Sequence, residues 1–449
     1  MSYVRLALAA GVQFVLTAAL TTNAHAQHPT AMRSLLLLGV FPAVLTAQSA
    51  TRTGTSDNAF SLDRLRRVDT YLQQQIDSNR IAGAVGLVLR DGKVVYERAF
   101  GWADKDGNRR MKPDAMFRIA SQTKALTSIA IMMLVEEGKI ELDNPVSRFI
   151  PAYAATTVMV NGQPAPAKRR ITIRDLLTHT AGISYGTDSA VASLYRQKGL
   201  GPAAGNGWYT ADKDEGICTT MERLATLPFV RQPGEAWVYG YNTDILGCIV
   251  EVTSGMPLDE FLRTRITAPL GMTDTHFFVP PAKRDRLVTV YASDTGNHVV
   301  RAPDGARGQG HYVDGPRRSF AGGAGLVSTA HDYARLMQMM LNGGELDGVR
   351  ILSPFTVAVM TSNQTGMLFD ASGGEGFGLG FSTLERLGAD NTLFSVGSYG
   401  WGGAYGSTYR VDPRQRVVVI FMVNQLPNRA DAAAKFPTLV YQALTVVRD

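Results

Sequence analysis

Strand-forming sequence lies at the two ends of this chain and helix-forming sequence lies between them, and this limits the fold more than any other feature. Near the start, Ser61 predicts a helix cap, with Leu62, Leu65, Val68, Leu72 and Ile76 along one face. Residues 83–89 and 93–100 then read as two strands joined at Arg90-Asp-Gly-Lys93, an Asp-Gly hairpin signal. Val85, Leu87 and Leu89 alternate onto one side. Residues 117–134 predict an apolar approach followed by a helix with Ala125, Ile129, Met132 and Met133 on one face.

Between about 136 and 315 the strand signals thin out. Short helices are predicted over 171–178, 221–227, 244–254 and 258–266. A Gly-rich loop over 202–216 carries Trp208 and Tyr209, expected to overhang a pocket. The last third returns to mixed structure, with a helix over 331–341 and strands over 376–383 and 393–396. Residues 403–411 and 416–424 flank the turn Asp412-Pro-Arg-Gln415 as a second hairpin, and a helical stretch over 431–447 contains Pro437. The economical arrangement is an α/β (α+β) protein. Its antiparallel sheet draws strands from 60–135 and 316–449 and is flanked by the terminal helices, with a mainly helical lobe, 136–315, inserted.

The first 47 residues read as a targeting region, and 48–59 as a flexible linker. Two apolar runs follow one another, the first ending in Ala24-His-Ala26 and the second running from Met32 to Ala47. Met32 is a second candidate start. Export to the periplasm or medium is expected, with cleavage near Ala47. Each run is short and broken, so no stable membrane span is expected after processing; a retained anchor is the alternative. The formal charge of +6 is scattered, which argues against a nucleic-acid-binding face. The seven histidines show no paired-ligand spacing, so neither a metal nor another cofactor is expected. Cys218 and Cys248 fit either one disulfide or two free thiols.

Ser121-Gln-Thr-Lys124 places a hydroxyl and an amine one helical turn apart at the positively polarised end of a helix. S-x-x-K is a nucleophile motif, and four letters with two fixed also arise as an ordinary helix cap. A serine hydroxyl needs a base, and Lys124 serves only as the neutral amine. Tyr239, in a turn after Pro233-Gly234, is a candidate proton carrier or a packing tyrosine. Gly400-Trp-Gly-Gly-Ala-Tyr-Gly406 marks a close approach of backbone or ligand, or a glycine bulge; its amides and that of Ser121 could meet an oxyanion. Gly182-Ile-Ser184-Tyr-Gly186 fits G-x-S-x-G, but no strand precedes it, so a glycine turn is the favoured reading.

Ser121-x-x-Lys124, Tyr239 and Trp401-Gly-Gly403, in that order, resemble the three motifs of the class C β-lactamase-like serine hydrolases, which share the penicillin-binding-protein fold. Residues 171–183, 322–329 and 376–381 resemble that family's framework, and the likeness runs from about 60 to the C-terminus. The resemblance implies a β-lactamase/transpeptidase-like fold with the site between sheet and helical lobe. Two departures matter. The family's Tyr-x-Asn becomes Tyr239-Gly-Tyr241, with Asn242 one place late. Trp401 stands where β-lactamases and DD-peptidases carry a cation facing the substrate carboxylate. The Trp-Gly-Gly variant is similar to family VIII carboxylesterases and implies uncharged ester substrates. It also implies Ser121 as nucleophile, Lys124 and Tyr239 as acid and base, and the amides of Ser121 and Ala404, beside Trp401, Gly402 and Gly403, as the oxyanion site. The alternatives are a β-lactamase, a DD-peptidase or a non-catalytic sensor of β-lactam or peptidoglycan.

Overall fold

A computed structural model describes residues 59–201, 213–305 and 308–448. The expected targeting region and most of the 202–216 loop, including Trp208 and Tyr209, lie outside the described residues.

Helix α1, Leu62–Asp77, opens on the Ser61 side chain, which accepts the Arg64 N–H, and buries Leu65, Val68 and Leu72. Strands β1, Gly83–Arg90, and β2, Lys93–Asp104, follow, with β3 at Arg109–Arg110. Asp91 and Gly92 both have positive φ, as the tight turn between β1 and β2 requires. Helix α2, Thr123–Glu136, comes next. The inserted stretch supplies α3, Ile173–Leu177; α4, Ile217–Ala225; α5, Asn242–Ser254; and α6, Leu258–Leu262. It also holds two small hairpins, Thr157–Val160 with Gln163–Pro166 and Tyr291–Ser293 with Val299–Arg301. The C-terminal third adds α7, Ala330–Leu341, then strands β4 Glu375–Phe377, β5 Ser382–Leu384, β6 Tyr399–Gly402, β7 Thr408–Asp412 and β8 Val417–Met422, and helix α8, Ala432–Tyr441.

The main sheet is antiparallel in the order β4-β5-β6-β7-β8-β1-β2-β3, so the two ends of the chain meet where β8 pairs with β1. Leu87 stands opposite Ile420 at that seam. Val85, Leu87 and Leu89 face the core shared with α2 and α7, while Ala84 and Val88 face α1 and α8. Both faces are covered, so β1 and β8 are buried along their whole length. Among the described residues no helix is long and apolar enough to cross a membrane.

Four local expectations change. Helix α2 is buried on every side from Thr123 to Leu134, because sheet and lobe both pack on it, so its apolar face does not mark a boundary with water. Residues 393–395 are irregular and lead into a turn at 396–397 instead of a strand: an Asp412 carboxylate oxygen takes the Ser395 N–H and Gly397 adopts φ +86°. The expected strand over 403–411 begins only at Thr408, as β7, after a turn that follows the end of β6 at Gly402. The final helix also ends earlier, at Tyr441, and Thr445 N–H instead bonds the Ala59 carbonyl.

Because Ile420 is fully buried at the seam, Ile420→Ala is expected to cost about 2–5 kcal/mol of stability. Urea unfolding followed by circular dichroism measures it.

Candidate active site

The nucleophile turn is held from both sides by backbone. Phe117–Arg118 pairs with Val327–Ser328, and Ile119 N–H donates to the Leu326 carbonyl at 3.0 Å. Ala120 then takes φ +43°, a left-handed conformation that a non-glycine residue adopts only under constraint. Ala120–Gln122 form a short 3-10 turn ahead of α2, so Ser121 precedes the α-helix instead of opening it. The first hydrogen bond of the turn is Gln122 N–H to the Ile119 carbonyl at 3.1 Å. The Ser121 amide lies before it, among the helix-start donors that have no partner within the helix. Gly403 packs against the same turn: a Cβ there would come within 2.4 Å of the Ile119 carbonyl oxygen. That approach sets the end of β6, and the turn holding Ala404, beside Ser121.

Lys124 is 2% exposed. Its Nζ lies 3.3 Å from Ser121 Oγ, 3.0 Å from the Tyr185 hydroxyl and 2.7 Å from the Gly323 carbonyl oxygen. All three partners are neutral oxygens. The carbonyl can only accept, so one N–H is committed to Gly323. The Tyr185 and Ser121 hydroxyls take up the other directions around the same nitrogen. Gly323 is itself fixed by its N–H to Asp244 Oδ1 at 3.1 Å, from the first turn of α5.

Aromatic rings close the next side. Lys124 Nζ sits 4.6 Å from the centre of the Tyr239 ring and 5.7 Å from that of Tyr185. Trp401 Nε1 donates to the Tyr239 hydroxyl at 3.2 Å. Indole N–H is only a donor, so the Tyr239 oxygen accepts there and its own hydrogen points elsewhere. Behind Tyr239 lies His179, 1% exposed, with ring centres 4.8 Å apart. The Asn242 amide nitrogen is 2.9 Å from His179 Nδ1 and also reaches the Ile183 and Val238 carbonyls. Those carbonyls orient the amide as a donor, which makes Nδ1 an acceptor. Burial, then the neighbouring Lys124, holds the His179 pKa well below its ordinary value.

The structure therefore gathers Ser121, Lys124, Tyr239 and Trp401 into one chain of contacts, with Gly402, Gly403 and Ala404 at its edge. Ser184 is excluded from it: it is 2% exposed and its hydroxyl accepts the Gly186 N–H at 3.0 Å, a turn contact. Its neighbour Tyr185 and the Gly323 carbonyl were not foreseen. Tyr185 lay inside the G-x-S-x-G decoy. A backbone carbonyl leaves no trace in residue type beyond the Gly322-Gly323 pair, where a Cβ on Gly323 would come within 2.6 Å of Asp244 Oδ2. Cys218 and Cys248 form a disulfide joining α4 to α5.

Known proteins share this sequence pattern and fold. The family profile described as Beta-lactamase matches residues 68–443. Esterase EstB of Burkholderia gladioli is 33% identical over 392 residues, covering 83% of this chain and 94% of the relative. A putative D-alanyl-D-alanine carboxypeptidase of Salmonella typhimurium is 30% identical over 423 residues, covering 87% and 88%. The solved structure of EstCE1, described as a hydrolase with promiscuous acyltransferase activity, superposes with a TM-score of 0.73 at 29% identity, covering 84% of this chain and 99% of that one.

A buried His179 has a consequence for stability. Its folded pKa is depressed, so below the unfolded value, about 6.5, the unfolded chain binds a proton that the folded one resists. The contribution is complete above that value and is lost as pH falls through it. The urea midpoint is expected to drop between pH 7.5 and 5.5, and His179→Asn, chosen because Asn tolerates the φ of +57°, to flatten that dependence.

Proposed function

The chain belongs to the beta-lactamase family and is a serine hydrolase of the β-lactamase/penicillin-binding-protein fold, and from that premise we propose that it cleaves carboxylic esters through an acyl-enzyme on Ser121. Ser121 Oγ attacks the ester carbonyl carbon while its proton passes to Lys124 Nζ, 3.3 Å away. The carbonyl oxygen becomes an oxyanion facing the amides of Ser121 and Ala404. The carbon–oxygen bond to the alcohol then breaks, and Tyr239 delivers a proton to the departing oxygen. Water gives a proton to the Tyr239 phenolate, or to Lys124 once it has handed its own proton to that phenolate, and attacks the acyl-enzyme; the Lys124 ammonium then returns a proton to Ser121 Oγ as the acid is released. Tyr185 and the Gly323 carbonyl hold the amine in place throughout.

The observation that carries the ester reading is the Trp401 Nε1 hydrogen bond to Tyr239. An indole, not a cation, faces the substrate at that position, so a substrate carboxylate finds no counter-charge from it. Similarity to Esterase EstB supports the same reading. Export is proposed from the 1–47 region and fits the Cys218–Cys248 disulfide, a bond that persists in oxidising compartments.

Ser121→Ala is expected to abolish turnover of a short-chain p-nitrophenyl ester, with Ser184→Ala remaining active. Tyr239→Phe is expected to lower kcat by roughly 10²–10⁴. Nitrocefin turnover far above ester turnover would instead establish a β-lactamase, and a burst of one product per enzyme without turnover would establish a sensor. N-terminal sequencing of exported protein is expected to begin near residue 48.

A further inference from the structure

Beside the nucleophile the site continues from Trp401 into a ridge of rings, of which Trp237 and Phe369 take no part in the acyl-transfer chemistry. Trp237, Phe369 and Trp401 are each half-buried, so each keeps part of its surface in water. The Phe369 ring centre lies 4.9 Å from that of Trp237 and 6.4 Å from that of Trp401, and the two indoles are 6.3 Å apart. Phe377, 1% exposed, backs all three. Outside the ridge, Met367 and Leu368 are 64% and 42% exposed.

The segment carrying Phe369 is held at both ends. Before it, the Asn363 carboxamide takes the Thr365 N–H and hydroxyl and donates to the Gly366 carbonyl. After it, the Asp370 carboxylate accepts from the Ser372 hydroxyl and N–H and from the Gly374 and Glu375 amides. These contacts, the Ser372 hydroxyl foremost, bring the Asp370 pKa down to about 2. The apolar side chains are thus presented by a braced loop with an anionic group next to Phe369.

We propose that Trp237, Phe369 and Trp401 form the subsite for the alcohol half of the ester, and that it selects uncharged alcohols bearing a flat aromatic group. This rests on the ester reading above and adds the substrate class. One feature assigns the ridge to the alcohol side. Trp401 holds the oxygen of Tyr239, the group that hands a proton to the leaving oxygen, so the departing group lies against the indole. Offset or edge contacts between rings favour aromatic over aliphatic groups, and the Asp370 charge disfavours anions.

The test compares butyrate esters of ethanol and 2-naphthylmethanol, alcohols of similar acidity, with ethyl 2-naphthylacetate, which moves the ring to the acyl side. The naphthylmethyl ester is expected to exceed ethyl butyrate in kcat/KM by about tenfold, on the scale of one or two ring contacts, while ethyl 2-naphthylacetate gains no such advantage. Phe369→Ala is expected to reduce the naphthylmethyl-to-ethyl ratio about tenfold and Phe369→Tyr to retain it. As a measurement needing no variant, 2-naphthylmethanol should inhibit ethyl butyrate hydrolysis competitively and 2-naphthylacetate should not. Equal kcat/KM for the two butyrates, each abolished by Ser121→Ala, overturns the subsite and leaves the ester reading standing. A preference for ethyl 2-naphthylacetate assigns the ridge to the acyl side and overturns the proposal. Loss of Ser121-dependent turnover for all three esters overturns the ester reading with it.

Discussion

An amine buried to 2% exposure, whose hydrogen-bond partners are three neutral oxygens, is the constraint around which this structure is arranged. Burying a polar group is expensive, and the cost falls when it is hydrogen-bonded or placed over aromatic rings. Those contacts come from different parts of the chain. The nucleophile is on the same helical turn, Tyr185 and Tyr239 come from the lobe, and Gly323 comes from the approach to α7. Helix α2 can carry such a residue because it is buried on all sides, packed on α5 and α6 within a core it shares with the sheet.

Close backbone contact does the rest of the positioning. Gly403 lies where any side chain would strike the Ile119 carbonyl, and Gly323 lies where one would strike Asp244. The first contact joins the Ser121 turn to the C-terminal third, and the second joins that third to α5 of the lobe. The left-handed Ala120 lies in the turn fixed by the Ile119–Leu326 hydrogen bond and the Gly403 approach, consistent with strain being retained where surrounding structure fixes it. The same third supplies Trp401, which ties the sheet to Tyr239 of the lobe. The site is therefore a seam between the two parts of the molecule, made of short polar contacts and stacked rings.

Much of this was legible in residue order. The split of strand signals to the two ends anticipated a sheet closed between them, and β8 pairing with β1 is that closure. The Asp91-Gly92 turn and the Ser61 cap were local signals with local causes, and they appear as expected. Residues 393–396 misled because Phe394 and its neighbours are apolar, whereas Asp412, far along the chain, takes the Ser395 amide and turns the backbone. The α2 face misled for a related reason: periodicity reports a water-facing side, and α2 has none before Glu136.

By itself the sequence determined what acts over one turn: Ser121 and Lys124 share a helical face because i and i+3 must. It also determined the absence of a cation at position 401, since residue identity needs no folding. Only the tertiary structure decided that Tyr185, 61 positions away, and the Gly323 carbonyl, 199 positions away, would hold that lysine. It alone decided that Phe369 would lie against Trp237 and Trp401. Such partners are chosen by the packing of whole elements, and a carbonyl or a ring face has no fixed spacing along the chain by which it could be found beforehand.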